Sequence, residues 1–413
     1  MKKLPLITRF MTKKISNFKF QIPNRNAPIL RCFLSEIWNL KFGILLVLFS
    51  SCEKALIHAD LPYETPQFSP EYVAQYDGKP FFEIPEVYEL MMVAKSFSDF
   101  SRANKNYTTN SDSEYFREVA TFFAPYKGHD VVKKLNANIK NIHNDYVYRE
   151  NCYGFTFDSN NKIVSKNIYL GIVDGLYGLN KVKELLPDLQ DFAEKSNFRQ
   201  FYKDHQAYYQ KLIDVQKTVM PVKKMQDWLE ARFPARYNSM GVVFSPLTGG
   251  NHLTENFVTP TFKQALLFVS FADFDKNKFN TAQIEGLASR IVFTEIDHNY
   301  VNLITNKYST EMKAAIGDWK KWNNPSGNSA TYNTPYLTFN EYMTWSVFSI
   351  YAQETYNKAD FEVINAEAEA IMRNRGFNRF SAFNKEILRV YAENPKIDVD
   401  NLYLKMFEWM KKQ

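Results

Sequence analysis

Cysteine is scarce in this chain of 413 residues. Of the three present, Cys32 and Cys52 fall near the start and Cys152 stands alone thereafter, so the body cannot be a disulfide framework. Long apolar runs are missing too: residues 42–49 form a short one, below the roughly 20 residues that a helix needs to span a bilayer. No internal repeat or low-complexity tract interrupts the sequence, which argues against a solenoid. Basic excess is missing where it would matter. The formal charge is +6, but residues 1–51 hold nine Lys or Arg against the single acid Glu36, so the remainder carries about −2. That distribution gives no electrostatic footprint for a nucleic-acid partner.

What is present is ample apolar and aromatic content, 45% and 16% of residues, enough for one large core or two ordinary ones. The basic start, the apolar run Phe42-Gly43-Ile44-Leu45-Leu46-Val47-Leu48-Phe49 and then Ser50-Ser51-Cys52 read as a targeting segment, not as fold. Apolar residues, small residues and Cys in that order resemble a relaxed bacterial lipobox, in which the cysteine is acylated and becomes the mature N-terminus. Residues 1–51 are then a leader, and Cys52 the point of attachment to a membrane surface of the bacterial cell envelope. Residues 52–80, with Pro62, Pro66, Pro70 and Pro80, read as a tether.

The body begins near Phe81 and divides by pattern into residues 81–236 and 237–413. In the first part, helical stripes run through Val87, Leu90, Met91 and Ala94, through Tyr115, Val119, Phe122 and Phe123, and through Val131, Val132, Leu135 and Ile139. Residues 152–171 read as a hairpin around Asp158-Ser159-Asn160-Asn161-Lys162, with Cys152 in its core. In the second part, residues 240–244 and 265–271 are strand-like, and between them Thr248-Gly249-Gly250-Asn251-His252 either carries an imidazole into a cleft or decorates a loop. A long helix over 280–304 follows, and further helices near 338–352, 360–375, 382–393 and 399–411 close the chain. The fold class is α+β, mostly helical, with a small mixed sheet.

The long helix breaks its own pattern. Its apolar stripe through Ile284, Leu287 and Ile291 continues onto Thr294, Glu295 and His298 before Val301, so a carboxylate and an imidazole face inward, where polar groups need a network, a metal or a catalytic task. Glu295 and His298 are the second and last letters of H-E-x-x-H, the zinc-peptidase motif; Thr294 stands at the first. Downstream, Glu341 shares a helical face with Trp345, Phe348 and Ala352, although Thr338-x-x-Glu341 also reads as a capping box.

Strands, an E-x-x-H helix and a later helix with an inward Glu follow the order of elements in zincin peptidases whose third ligand is a downstream glutamate. Together with Ile84-Pro85-Glu86-Val87-Tyr88-Glu89-Leu90, Tyr115-Phe116-Arg117-Glu118-Val119, Tyr126-Lys127-Gly128-His129, His298-Asn299-Tyr300-Val301-Asn302 and Asn340-Glu341-Tyr342, this order resembles a bacterial exported family known as a domain of unknown function, over most of residues 81–413. The resemblance implies a zincin-like sheet beside the helix, zinc as cofactor, Glu295 as general base, and His298 and Glu341 as ligands. It further implies a peptide or protein substrate, paired along the strand over 266–271. Thr294 departs from the family's histidine, so His252 or Asp297 would have to supply the missing donor. The alternative is an inactive, zincin-derived binding or structural lipoprotein that keeps these side chains as a buried cluster.

Overall fold

The computed structural model describes residues 67–166, 181–327 and 329–413; the leader, Cys52 and the first part of the tether lie outside them. The last part of that tether is folded. Ser69 Oγ accepts the Tyr72 amide at 3.2 Å and opens α1 (Pro70–Tyr76), where Pro70 costs nothing because the first amides of a helix have no intrahelical acceptor. The rings of Tyr72 and Phe68 meet Phe262, and Tyr76 meets Phe81. Pro70, read as part of the tether, therefore marks a helix start.

β1 (Pro80–Glu83) leads into α2 (Glu86–Ser96), buried on every side from Val87 to Ser96. Around it lie α3 (Asp99–Ala103), α4 (Glu114–Phe122), α5 (Asp130–Asn138) and α6 (Ile142–Asn151). Tyr115, Val119 and Phe123 turn inward as the stripe predicts, but Phe122 is 44% exposed. A hairpin does form around residues 158–162, with β2 (Phe155–Phe157) antiparallel to β3 (Ile163–Ser165), but it is shorter than expected: Cys152 is buried in a 3-10 turn before it, and residues 167–171 lie outside the described residues. Burial pushes the Cys152 thiol well above its usual range, which makes it inert. Helices α7 (Leu186–Lys195), α8 (Phe198–Asp204), α9 (Gln206–Val219) and α10 (Val222–Glu230) complete this part.

One sheet draws on both halves of the body, and residues 67–413 fall within a single compact unit. β4 (Ser239–Phe244), β5 (Leu253–Val258) and β6 (Lys263–Val269) join β1 in the order β1-β4-β6-β5. The first three of that order run parallel, and β5 is antiparallel to β6, with Leu253 opposite Phe268. Every residue of β4 is buried, and so is β6 after Lys263, as expected for strands covered on both faces. β6 is interior, with both of its edges hydrogen-bonded, so it has no edge left to pair with an extended substrate.

α11 (Thr281–Lys307) crosses this sheet, and α12 (Ser309–Ile316), α13 (Pro335–Thr355), α14 (Lys358–Arg375), α15 (Phe380–Glu393) and α16 (Val399–Met410) pack around it. A reciprocal capping box between Asn280 and Gln283 fixes the start of α11. Its Asn299 amide reaches Thr254 and receives Asn256 on β5, at 3.3 and 2.6 Å. On its opposite side Phe293 meets Phe348 and Tyr351 of α13, ring pairs worth about 0.5–1.5 kcal/mol each beyond their burial. The capping box read at Thr338 is not formed. Thr334 caps α13 by accepting the Leu337 amide, and the Thr338 hydroxyl donates to the Tyr332 carbonyl at 2.8 Å. Glu341 is thus left free to face another helix. The molecule is α+β and mostly helical, with a small mixed sheet.

Candidate functional site

The polar face of α11 opens into a cavity of about 1160 Å³. Arg290, Thr294, Glu295 and His298 line it from α11, one helical turn after another. Glu341 and Trp345 enter from α13, Arg375 from the end of α14, and His252 from the turn before β5. Glu295, His298, Glu341, His252 and Thr294 therefore border one space. Asp297 does not border it: its side chain is fully buried on the other side of α11, and neither carboxylate oxygen has a hydrogen-bond partner.

His252 reaches the cavity because its loop is held on two sides. The Gly250 and Asn251 amides donate to the Asn106 and Tyr107 carbonyls at 2.9 and 3.1 Å. Gly249 permits this approach, since a Cβ there would stand 2.5 Å from the Tyr107 carbonyl oxygen. Beneath the loop, Arg149 donates to Asn251 Oδ1 at 2.7 Å and to the Phe268 carbonyl at 3.4 Å, so a buried guanidinium ties the loop to β6. The imidazole Nε2 of His252 is 3.0 Å from Ser270 Oγ.

Opposite, Glu341 is held by one cation and one indole donor. Arg375 Nη1 lies 2.6 Å from its Oε1, and Trp345 Nε1 donates to the same oxygen at 2.9 Å. Its Oε2 makes no hydrogen bond and stands 3.9 Å from His298 Nε2. Thr344 Oγ1 is 3.4 Å from the other ring nitrogen of His298. Thr294, 4% exposed, turns its hydroxyl back to donate to the Arg290 carbonyl at 3.0 Å.

Burial governs the ionisation of these groups. It raises Glu295 to about 8, helped by the Glu341 charge and opposed by Arg375, Arg149 and Arg290. It lowers His252 to about 3, with the three arginines adding repulsion. His298, which keeps 24% of its side chain accessible, is lowered by burial and by Arg375 against the pull of Glu341. Near neutral pH both imidazoles are neutral, and Glu295 is mostly a proton donor.

A catalytic zinc site keeps three protein ligands and an open position. His298 Nε2 and Glu341 Oε2 face each other as two donors, but Thr294 has spent its hydroxyl on its own helix and His252 is engaged with Ser270. Among the described residues no three His, Cys, Asp or Glu side chains gather as a metal-holding group, and a guanidinium neutralises Glu341. The donor set present does not fit a catalytic zinc centre.

No family model, no curated protein and no solved structure matches the chain.

Arg290 and Arg375 were not legible as site residues. Arg290 does lie one turn before Thr294 on the stripe that carries Glu295 and His298, which is the signal that would have found it. Arg375, just before Gly376, reads from sequence as an ordinary cation at a helix C-terminus.

Proposed function

We propose that this chain is an exported binding protein, lipid-anchored through Cys52 at the bacterial cell envelope and derived from a zincin framework, in which the former metal site has become a ligand cavity. The observation that carries this reading is the Arg375–Glu341 pair at 2.6 Å. The carboxylate that would serve as third ligand already has a fixed positive charge, and Thr294 replaces a histidine one turn before His298. Support for the zincin origin comes from E-x-x-H on a helix crossing a mixed sheet, with Glu341 brought to it from a later helix. Support for the anchor rests on residues 42–52 alone.

A second reading, a zinc-dependent peptidase with Glu295 as base, draws on one specific observation: Glu341 Oε2 is unbonded and faces His298 Nε2. Metal content separates the two. In the full-length protein purified in detergent, elemental mass spectrometry is expected to find well under one zinc per chain, unchanged in His298→Ala and Glu341→Ala. Near-stoichiometric zinc that both substitutions remove would overturn the binding-protein reading and restore the peptidase.

A further inference from the structure

We propose that Arg290 is the anion-binding residue of this cavity, and that the ligand is a small organic molecule whose apolar or aromatic body carries a carboxylate or phosphate head. This deepens the binding-cavity reading and rests on it.

Arg290 is a cation without an anion. Its Nε is buried and makes no hydrogen bond, and among the described residues no carboxylate forms an ion pair with it. Its guanidinium lies 4.9 Å from the centre of the Trp345 ring, and Arg375 lies 5.4 Å from the same ring. Two like charges thus flank one indole. Arg375 has Glu341; Arg290 has the ring, while Glu295 and Glu367 act on it without forming an ion pair. Burial and repulsion from Arg375 together lower Arg290 to about 10.

Arg290 is half-buried: its Nε is sealed off without a partner while the rest of its guanidinium borders the cavity, and a cation so placed is ordinarily compensated by an anion or a fan of acceptors. Neither is supplied by the fold at Arg290, so the compensation is left to what the cavity receives. The lining as a whole favours an anion: Arg375 is matched by Glu341 and Arg102 by Asp99, Glu295 is mostly protonated, and Lys105 and Arg290 remain as cations without an ion pair among the described residues. A guanidinium beside an aromatic ring keeps its planar fork of N–H donors, which matches the two oxygens of a carboxylate or phosphate.

The rest of the space suits an organic body. Trp345, Tyr332 and Tyr146 are among the walls, and about 1160 Å³ exceeds the needs of a bare inorganic ion. Aromatic walls with one charged anchor are the usual composition of a small-molecule site, the anchor orienting the ligand and the rings covering it.

Calorimetric titration of the full-length protein in detergent with benzoate, phenyl phosphate and the neutral isostere benzamide tests this. One or both anions are expected to bind at least tenfold more tightly than benzamide, and the stronger of the two identifies the head group. Arg290→Gln should weaken that anion tenfold or more, and Arg290→Lys less, while the thermal midpoint of neither variant falls. Equal binding of benzamide, unchanged anion affinity in Arg290→Gln, or no anion binding at millimolar concentration would each overturn the proposal. Equal benzamide binding would leave the binding cavity standing without its anion site. Stoichiometric zinc would instead remove the binding-protein reading and leave the Arg290 comparison to be judged on its own.

Discussion

Arg149 and Arg290 both act electrostatically on His252 and Glu295, yet the fold treats them oppositely. Arg149 is fully buried and surrounded by acceptors: Asn251 through its side chain and carbonyl, the Phe268 carbonyl, and the Tyr88 hydroxyl at the limit of reach. Arg290 borders the cavity with its Nε unbonded. A guanidinium whose donors are met by backbone is part of the scaffold, because removing it strands several buried acceptors at once. One whose donors are left open inside a cavity contributes little to the fold and is available to a ligand. Residue type alone would have ranked the two alike.

The largest expected effect follows from the saturated side of that contrast. Arg149→Leu should lower unfolding free energy by about 3–5 kcal/mol, because it strands Asn251 and Phe268 and releases the loop that carries His252. Chemical denaturation measures this, and wild-type stability in the variant would break the distinction drawn above.

Glu89 is a buried acid on which the same contrast can be sharpened by pH. Tyr115 donates to its Oε1 at 2.8 Å, while its Oε2 has no hydrogen-bond partner. Burial raises its pKa from 4.5 to about 7, against weaker opposing contributions from Ser245, Tyr115 and His205. A carboxyl whose folded pKa lies above its unfolded value stabilises fully below the unfolded value, and that contribution is lost as pH rises through the folded one. Wild type should therefore lose up to about 3 kcal/mol relative to Glu89→Gln between pH 4.5 and pH 8. Denaturation midpoints of both proteins at pH 5, 7 and 8 give the difference, and parallel profiles would show that Glu89 does not titrate in this range.

The smallest effect belongs to the open arginine. Arg290→Gln should change stability by no more than about 0.5 kcal/mol, or raise it, since an uncompensated charge is removed. A drop of several degrees in the thermal midpoint would place Arg290 in the scaffold beside Arg149.

Much of the site's helix was readable in advance. Thr294, Glu295 and His298 lie on one line of α11 because residues three and four apart share a helical face, and the same rule put Glu341 and Trp345 together on α13. Turn chemistry was readable where it was local, as in the hairpin around residues 158–162 and the Gly376 stop. It misled at Thr338, where the cap belongs to Thr334 four residues earlier, and at Pro70, where a helix start looked like a linker. β5 went unread because Leu253–Val258 is a half-exposed edge strand with weak alternation.

Local periodicity and composition thus determined the α+β class, the long polar-faced helix and the carboxylate and imidazole on it, because those depend on contacts within a few residues. Only the tertiary structure decided that Arg375 would neutralise Glu341, that Arg149 would carry His252 into the same cavity, and that Arg290 would be left without an anion. The first two join groups 34 and 102 positions apart in the sequence, and the third depends on which chains do not meet. No spacing rule reaches across such separations, since they are fixed by how whole helices and strands pack.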